Sequence, residues 1–135
     1  MCGICGIIYP DRRPVDPARL KSANDLIFHR GPDDEGFHLD GGVGLAMRRL
    51  AVIDLKTGHQ PLSYAEDKFW IVFNGEIYNF LELRKELEER GHRFKTQSDT
   101  EVILALYQEM GDACITRLRG MFAFALWFGN MLKTP

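Results

Sequence analysis

A chain of 135 residues fits one domain and can bury roughly two thirds of its unfolded surface. Its 17 basic and 19 acidic residues are well mixed and leave a net charge of -2, so there is no basic strip to follow a phosphate backbone, and nucleic acid is excluded as a partner. No apolar run is long enough to span a membrane, Met1–Ile8 lacks the basic leader and cleavage site of an export signal, and three cysteines are too few for a disulfide scaffold, so the expectation is a soluble, cytoplasmic protein.

In chain order the first informative residue is Cys2, directly behind Met1 in Met1-Cys2-Gly3-Ile4-Cys5-Gly6. Removal of Met1, which the small Cys2 side chain favours, would leave a thiol beside its own α-amine. A free α-amine titrates near ~8 and an ordinary thiol near ~8.5, so the two can trade a proton around neutral pH without a distant histidine. Read alone, Cys2 is more simply an inert terminal thiol. Cys2 and Cys5 also form a CxxC, but a zinc site needs a second ligand pair. The remaining candidates, Cys114 with His29, His38, His59 and His92, are not in metal-ligand spacing. Cys5 and Cys114 read more simply as small core residues.

Ile4–Tyr9 is a short apolar strand stopped by Pro10. Asp16 as N-cap and Pro17 at the first helical position open a helix whose stripe is Leu20, Ala23, Leu26 and Ile27. Arg30-Gly31-Pro32-Asp33-Asp34 breaks it, and strands follow at Phe37–Leu39, Val43–Met47 and Leu50–Asp54. Phe69–Phe73 is the strongest strand and ends on Asn74-Gly75, a pair that by itself reads as a tight turn. Two capping boxes come next. Asn79 with Glu82 starts a helix with the stripe Phe80, Leu83 and Leu87, closed by Gly91; Ser98 with Glu101 starts another through Val102, Ile103, Leu106 and Met110, ended by Gly111. Met121–Phe128 is a final aromatic strand. Singly, Arg48-Arg49 reads as a solvated pair and Asp99 as a cap.

Together these words form a pattern. Met1-Cys2-Gly3-Ile4, His29-Arg30-Gly31-Pro32-Asp33, Arg49-Leu50-Ala51-Val52-Ile53-Asp54, Gly58-His59-Gln60-Pro61, Asn74-Gly75-Glu76-Ile77-Tyr78-Asn79, Ser98-Asp99-Thr100-Glu101 and Gly120–Trp127 resemble the class II glutamine amidotransferase domain of glutamine-hydrolysing asparagine synthetases. The resemblance implies an α+β fold of the N-terminal-nucleophile hydrolase kind, a four-layer αββα sandwich of two antiparallel sheets between helices. It implies hydrolysis of L-glutamine to glutamate and ammonia through a thioester on Cys2. It further implies an oxyanion site from the Asn74 side chain and the Gly75 N–H, with Arg49 on the substrate α-carboxylate, and Asp99 with Glu76 on its α-ammonium. Arg30 is expected to organise the loop near the N-terminus. No metal ligands are implied.

The segment Phe128–Pro135 departs from the family's continuation. Residues 1–128 are therefore expected to form an incomplete amidotransferase domain with unpaired sheet edges, and residues 129–135 a divergent tail. No Gly-rich phosphate loop occurs, so no cofactor is expected in this chain. ATP and magnesium would belong to a synthetase domain outside it, which would take the ammonia to make asparagine from aspartate. Two further readings stay open. One is an inactive fragment or interaction module; the other is a glutaminase serving a different ammonia acceptor.

Overall fold

The computed structural model describes residues 1–51 and 56–129. Strand β1 (Gly3–Ile8) runs antiparallel to β3 (Val43–Arg49), and β3 pairs on its other side with β2 (Asp34–Asp40). A second antiparallel sheet has the order β4 (Leu62–Tyr64), β5 (Phe69–Ile77), β6 (Gly120–Phe128). Successive side chains of a strand point to opposite faces, and both central strands use this to serve two cores at once. On β3, Val43, Leu45 and Met47 meet Val72 of β5 between the sheets, while Ala46 faces Val15 and Leu20 on the outer side. On β5, Phe69, Ile71 and Phe73 turn the other way, onto Val102, Ile103 and Leu106.

The helices close the outer faces. Helix α1 (Pro17–Leu26) covers the first sheet, and α2 (Phe80–Glu89) with α3 (Asp99–Met110) covers the second, so the layers run α, β, β, α as the resemblance implied. Asp16 caps α1 by accepting the Ala18 N–H at 2.9 Å. Its buried face differs from the expected stripe: Leu20 and Asn24 are buried and Leu26 is 80% exposed. The two buried residues are four apart and share one face, and Asn24 is tolerated there because its Nδ2 donates to the Met47 carbonyl at 3.3 Å. Arg48, expected in solvent, is buried against the Phe28 ring, 2.5 Å from Asp25 and 3.0 Å from Glu35, and so pins α1 to β2 and β3.

Neither predicted capping box closes. Asn79 stands at the α2 N-cap, but its side chain bonds the Arg117 carbonyl and the Arg119 N–H, both at 3.0 Å, tying the start of α2 to the approach of β6. Ser98 does cap α3, accepting from the Thr100 N–H at 3.1 Å. Glu101, however, turns inward and takes the Lys95 and Thr96 N–H groups at 2.9 and 2.8 Å and the Thr96 hydroxyl at 2.6 Å. A buried carboxylate with three donors holds this loop more firmly than a box would.

Asn74-Gly75 is not a turn. Strand β5 passes straight through it to Ile77, with Asn74 opposite Ala123 and Gly75 opposite Phe122. Gly75 adopts φ +148°, and a Cβ there would lie 2.1 Å from the Met121 carbonyl oxygen. Glycine is needed so that β6 can pass close by, not to reverse the chain. The strand expected at Leu50–Asp54 does not include Leu50 or Ala51, and its remaining residues, like 130–135 of the expected tail, lie outside the described residues.

Candidate active site

Six of the residues singled out in the sequence, Cys2, Arg49, Asn74, Gly75, Glu76 and Asp99, line one cavity of about 160 Å³. They come from separate layers. Cys2 precedes β1 and Arg49 ends β3, so antiparallel pairing, which sets Gly3 opposite Arg48, brings them together. Strand β5 delivers Asn74, Gly75 and Glu76 from the second sheet, and Asp99 opens α3 outside it. Arg30 does not line the cavity. It reaches the N-terminal segment through its Nε, which donates to the Cys2 carbonyl at 3.1 Å.

The thiol of Cys2 is hydrogen-bonded to the main chain of Leu50: the Leu50 N–H donates to Sγ at 3.3 Å and Sγ lies 3.5 Å from the Leu50 carbonyl. Arg49 is 6% exposed and Asp99 5%, so the cavity holds one buried cation and one buried anion on different walls. Burial pushes the Asp99 carboxyl above the ordinary 3.8, against the lowering effect of the Ile77 and Thr100 N–H groups, and Oδ2 accepts the Ile77 N–H at 2.9 Å. The Asn74 side chain keeps a buried Oδ1 that has no hydrogen-bond partner among the described residues.

Along β5 beyond the end of β4, the Phe73 N–H goes to Gln60 Oε1 at 2.7 Å and the Ile77 N–H to Asp99. Strand alternation directs the Gly75 N–H to that same edge, between two positions already occupied by side-chain acceptors. The sequence did not mark Gln60, Leu50, Ser98, Thr100 or Met121 as walls of the site, although all five line it. Polar residues beside a proline or at a helix cap carry no local sign of facing a cavity.

The CxxC thiols lie on opposite faces of the first sheet. Cys2 packs with Met47 and Val72 between the sheets, whereas Cys5 packs with Val15 and Leu20 under α1 and contacts Asn24. Residues three apart on an extended strand point to opposite sides, which prevents the pair from chelating one ion or closing a disulfide. Among the described residues no group of three or more His, Cys, Asp and Glu side chains is placed to hold a metal ion, and no helix is long and apolar enough to cross a membrane.

Known proteins resemble this chain in sequence and in fold. The asparagine synthetase [glutamine-hydrolyzing] 1 of Bacillus subtilis (strain 168) is 49% identical over 96% of this chain, and the corresponding enzyme of Sandersonia aurantiaca 47% identical over 93%. The chain spans only 21% and 24% of the lengths of these two relatives. Among solved structures, the glutamine phosphoribosylpyrophosphate amidotransferase of B. subtilis superposes with a TM-score of 0.54 at 26% identity, covering 67% of this chain and 22% of that one. The sequence profile described as "Glutamine amidotransferase domain" matches residues 1–132. Matched over nearly its whole length, this chain belongs to the glutamine amidotransferase domain family.

Proposed function

We propose that this chain is a glutaminase unit that hydrolyses L-glutamine and supplies ammonia to an ATP-dependent synthetase domain lying outside it, for asparagine synthesis. The observation that carries the reading is the meeting, in one cavity, of the Cys2 thiol, a buried Arg49, a buried Asp99 and the Asn74-Gly75 pair. Arg49 suits the α-carboxylate of an amino acid, and Asp99, with Glu76 at the exposed rim, suits its α-ammonium. That clamp would hold the side-chain amide of glutamine towards Cys2.

Met1 is attached to Cys2 in this structure and lines the cavity, so the Cys2 nitrogen is an amide here. Its removal would open the site and free an amine able to act as base. Sγ then bonds the amide carbon, its proton passes to the α-amine, and the carbonyl oxygen becomes an oxyanion received by Asn74 and the Gly75 N–H. Breakage of the C–N bond, with the proton returned from the α-ammonium, releases ammonia and leaves a thioester. Water cleaves that thioester to glutamate and the free thiol. Arg30, through the Cys2 carbonyl, would keep the nucleophile's main chain in place.

The test is labelling of the Met1-free chain with 6-diazo-5-oxo-norleucine, followed by mass spectrometry. Stoichiometric modification of Cys2, blocked by glutamine, is expected. A folded, Met1-free chain that takes no label and releases no glutamate would sink the proposal.

A further inference from the structure

The Gly58-His59-Gln60-Pro61 turn has so far been given no role, yet Gln60 is 5% exposed and its side chain touches the site's supports on two sides. Strand β4 begins at Leu62, opposite Ile71. Two residues earlier the ladder would reach Phe73, but there the chain has not yet joined the sheet, and the Gln60 side chain supplies the missing acceptor: Oε1 takes the Phe73 N–H at 2.7 Å. Its Nε2 reaches Thr100 Oγ1 at 3.5 Å, on the residue after Asp99. The main chain of Gln60 is fixed from the other sheet. Gly36 of β2 lies so close that a Cβ on it would fall 1.8 Å from the Gln60 carbonyl oxygen.

We propose that Gln60 is a positioning residue that sets the height of the Asn74-Gly75 strand segment over the Cys2 thiol by holding Phe73 and bracing it against the start of α3. This rests on the glutaminase reading for its kinetic consequence only. Phe73 immediately precedes Asn74, so a lost bond at its N–H lets the oxyanion donors drift, whereas Arg49 stands on the other sheet and Asp99 keeps its own bond to the Ile77 N–H. Donors that act on charge developed in the transition state affect kcat, whereas the substrate clamp affects KM.

The experiment compares the Met1-free chain with its Gln60→Met and Gln60→Glu variants. Methionine keeps the volume and removes both hydrogen bonds; glutamate keeps the acceptor for Phe73. In Gln60→Met, amide exchange at Phe73 is expected to quicken, the Asn74 side-chain NH2 resonances to move, and kcat for glutamine to fall about tenfold with KM changed by less than about threefold. Gln60→Glu is expected to recover Phe73 protection and most of kcat. A Gln60→Met variant with unchanged Phe73 exchange and kcat overturns the proposal, as does a rise in KM at constant kcat, or a Gln60→Glu variant no better than Gln60→Met. Should the unaltered chain hydrolyse no glutamine, the glutaminase reading fails by itself, while the exchange and resonance measurements still decide the positioning role.

Discussion

The sulfur of Cys2 and the peptide of Leu50 are bound to each other across a gap of 48 residues, the Leu50 N–H donating to Sγ at 3.3 Å. Leu50 directly follows Arg49, so the proposed nucleophile and the cation proposed for the substrate carboxylate are held in register by one peptide unit. Cys2→Ser should keep this arrangement, since a hydroxyl accepts from the same N–H. It should nevertheless lower glutamine turnover by more than about a thousandfold, because the hydroxyl is a far weaker nucleophile near neutral pH. Glutamate release measured beside an unchanged thermal unfolding curve checks this.

Arg49→Ala should raise KM for glutamine by about tenfold to a hundredfold, the value of a lost charge-assisted hydrogen bond pair, with a smaller effect on kcat. Arg49→Lys should recover only part, since an ammonium cannot copy the planar fork. Steady-state kinetics decide it. An unchanged KM in the alanine variant would remove Arg49 from the substrate site.

Asp99 makes opposite demands on stability and binding. Burial raises its pKa above 3.8, so ionised Asp99 costs the fold stability at neutral pH, and that cost is relieved as pH falls through the raised pKa. The proposed clamp on the substrate α-ammonium needs the charge. KM for glutamine should therefore climb on acidification, beginning above the ordinary carboxylate range. Asp99→Asn, which can still accept the Ile77 N–H, should raise KM at every pH and abolish that climb without lowering the melting temperature. KM profiles against pH, with calorimetry of both proteins, test the pair of effects.

Gly75→Ala should be severe in both respects. The added Cβ would meet the Met121 carbonyl oxygen at 2.1 Å and the Phe122 Cα at 2.6 Å, and φ +148° is strained for any L side chain. A loss of about 2 to 4 kcal/mol is expected from denaturant unfolding, together with loss of activity in whatever fraction remains folded.

Much of this was legible in the sequence, for reasons visible in particular residues. Asp16-Pro17 and Ser98 announce helix starts with chemistry that acts within a few residues, and the alternation on β3 and β5 reads directly as two-faced strands. What could not be read depended on distant partners. Asn79 and Glu101 match a capping box locally, but Arg117, Arg119 and Thr96 compete for their side chains and win. Asn74-Gly75 has the composition of a turn, and only the approach of β6 reveals why it is straight. Arg49, Asn74 and Asp99 entered the site by resemblance, whereas Gln60 did not, because its contribution lies in a bond to another residue's main chain.

The site has no single owner among the layers: Cys2 and Arg49 sit on the first sheet, Asn74 and Gly75 on the second, and Asp99 on the helix behind it. Between the sheets lies a thin apolar seam of Val43, Leu45, Met47 and Val72, with Cys2, Ile4, Trp70 and Trp127 packed against it. The proposed glutaminase activity is then a proximity gauge for that seam. A swollen state that keeps its strands and helices but lets the sheets part would still look folded by far-ultraviolet dichroism and would already have lost the proposed activity.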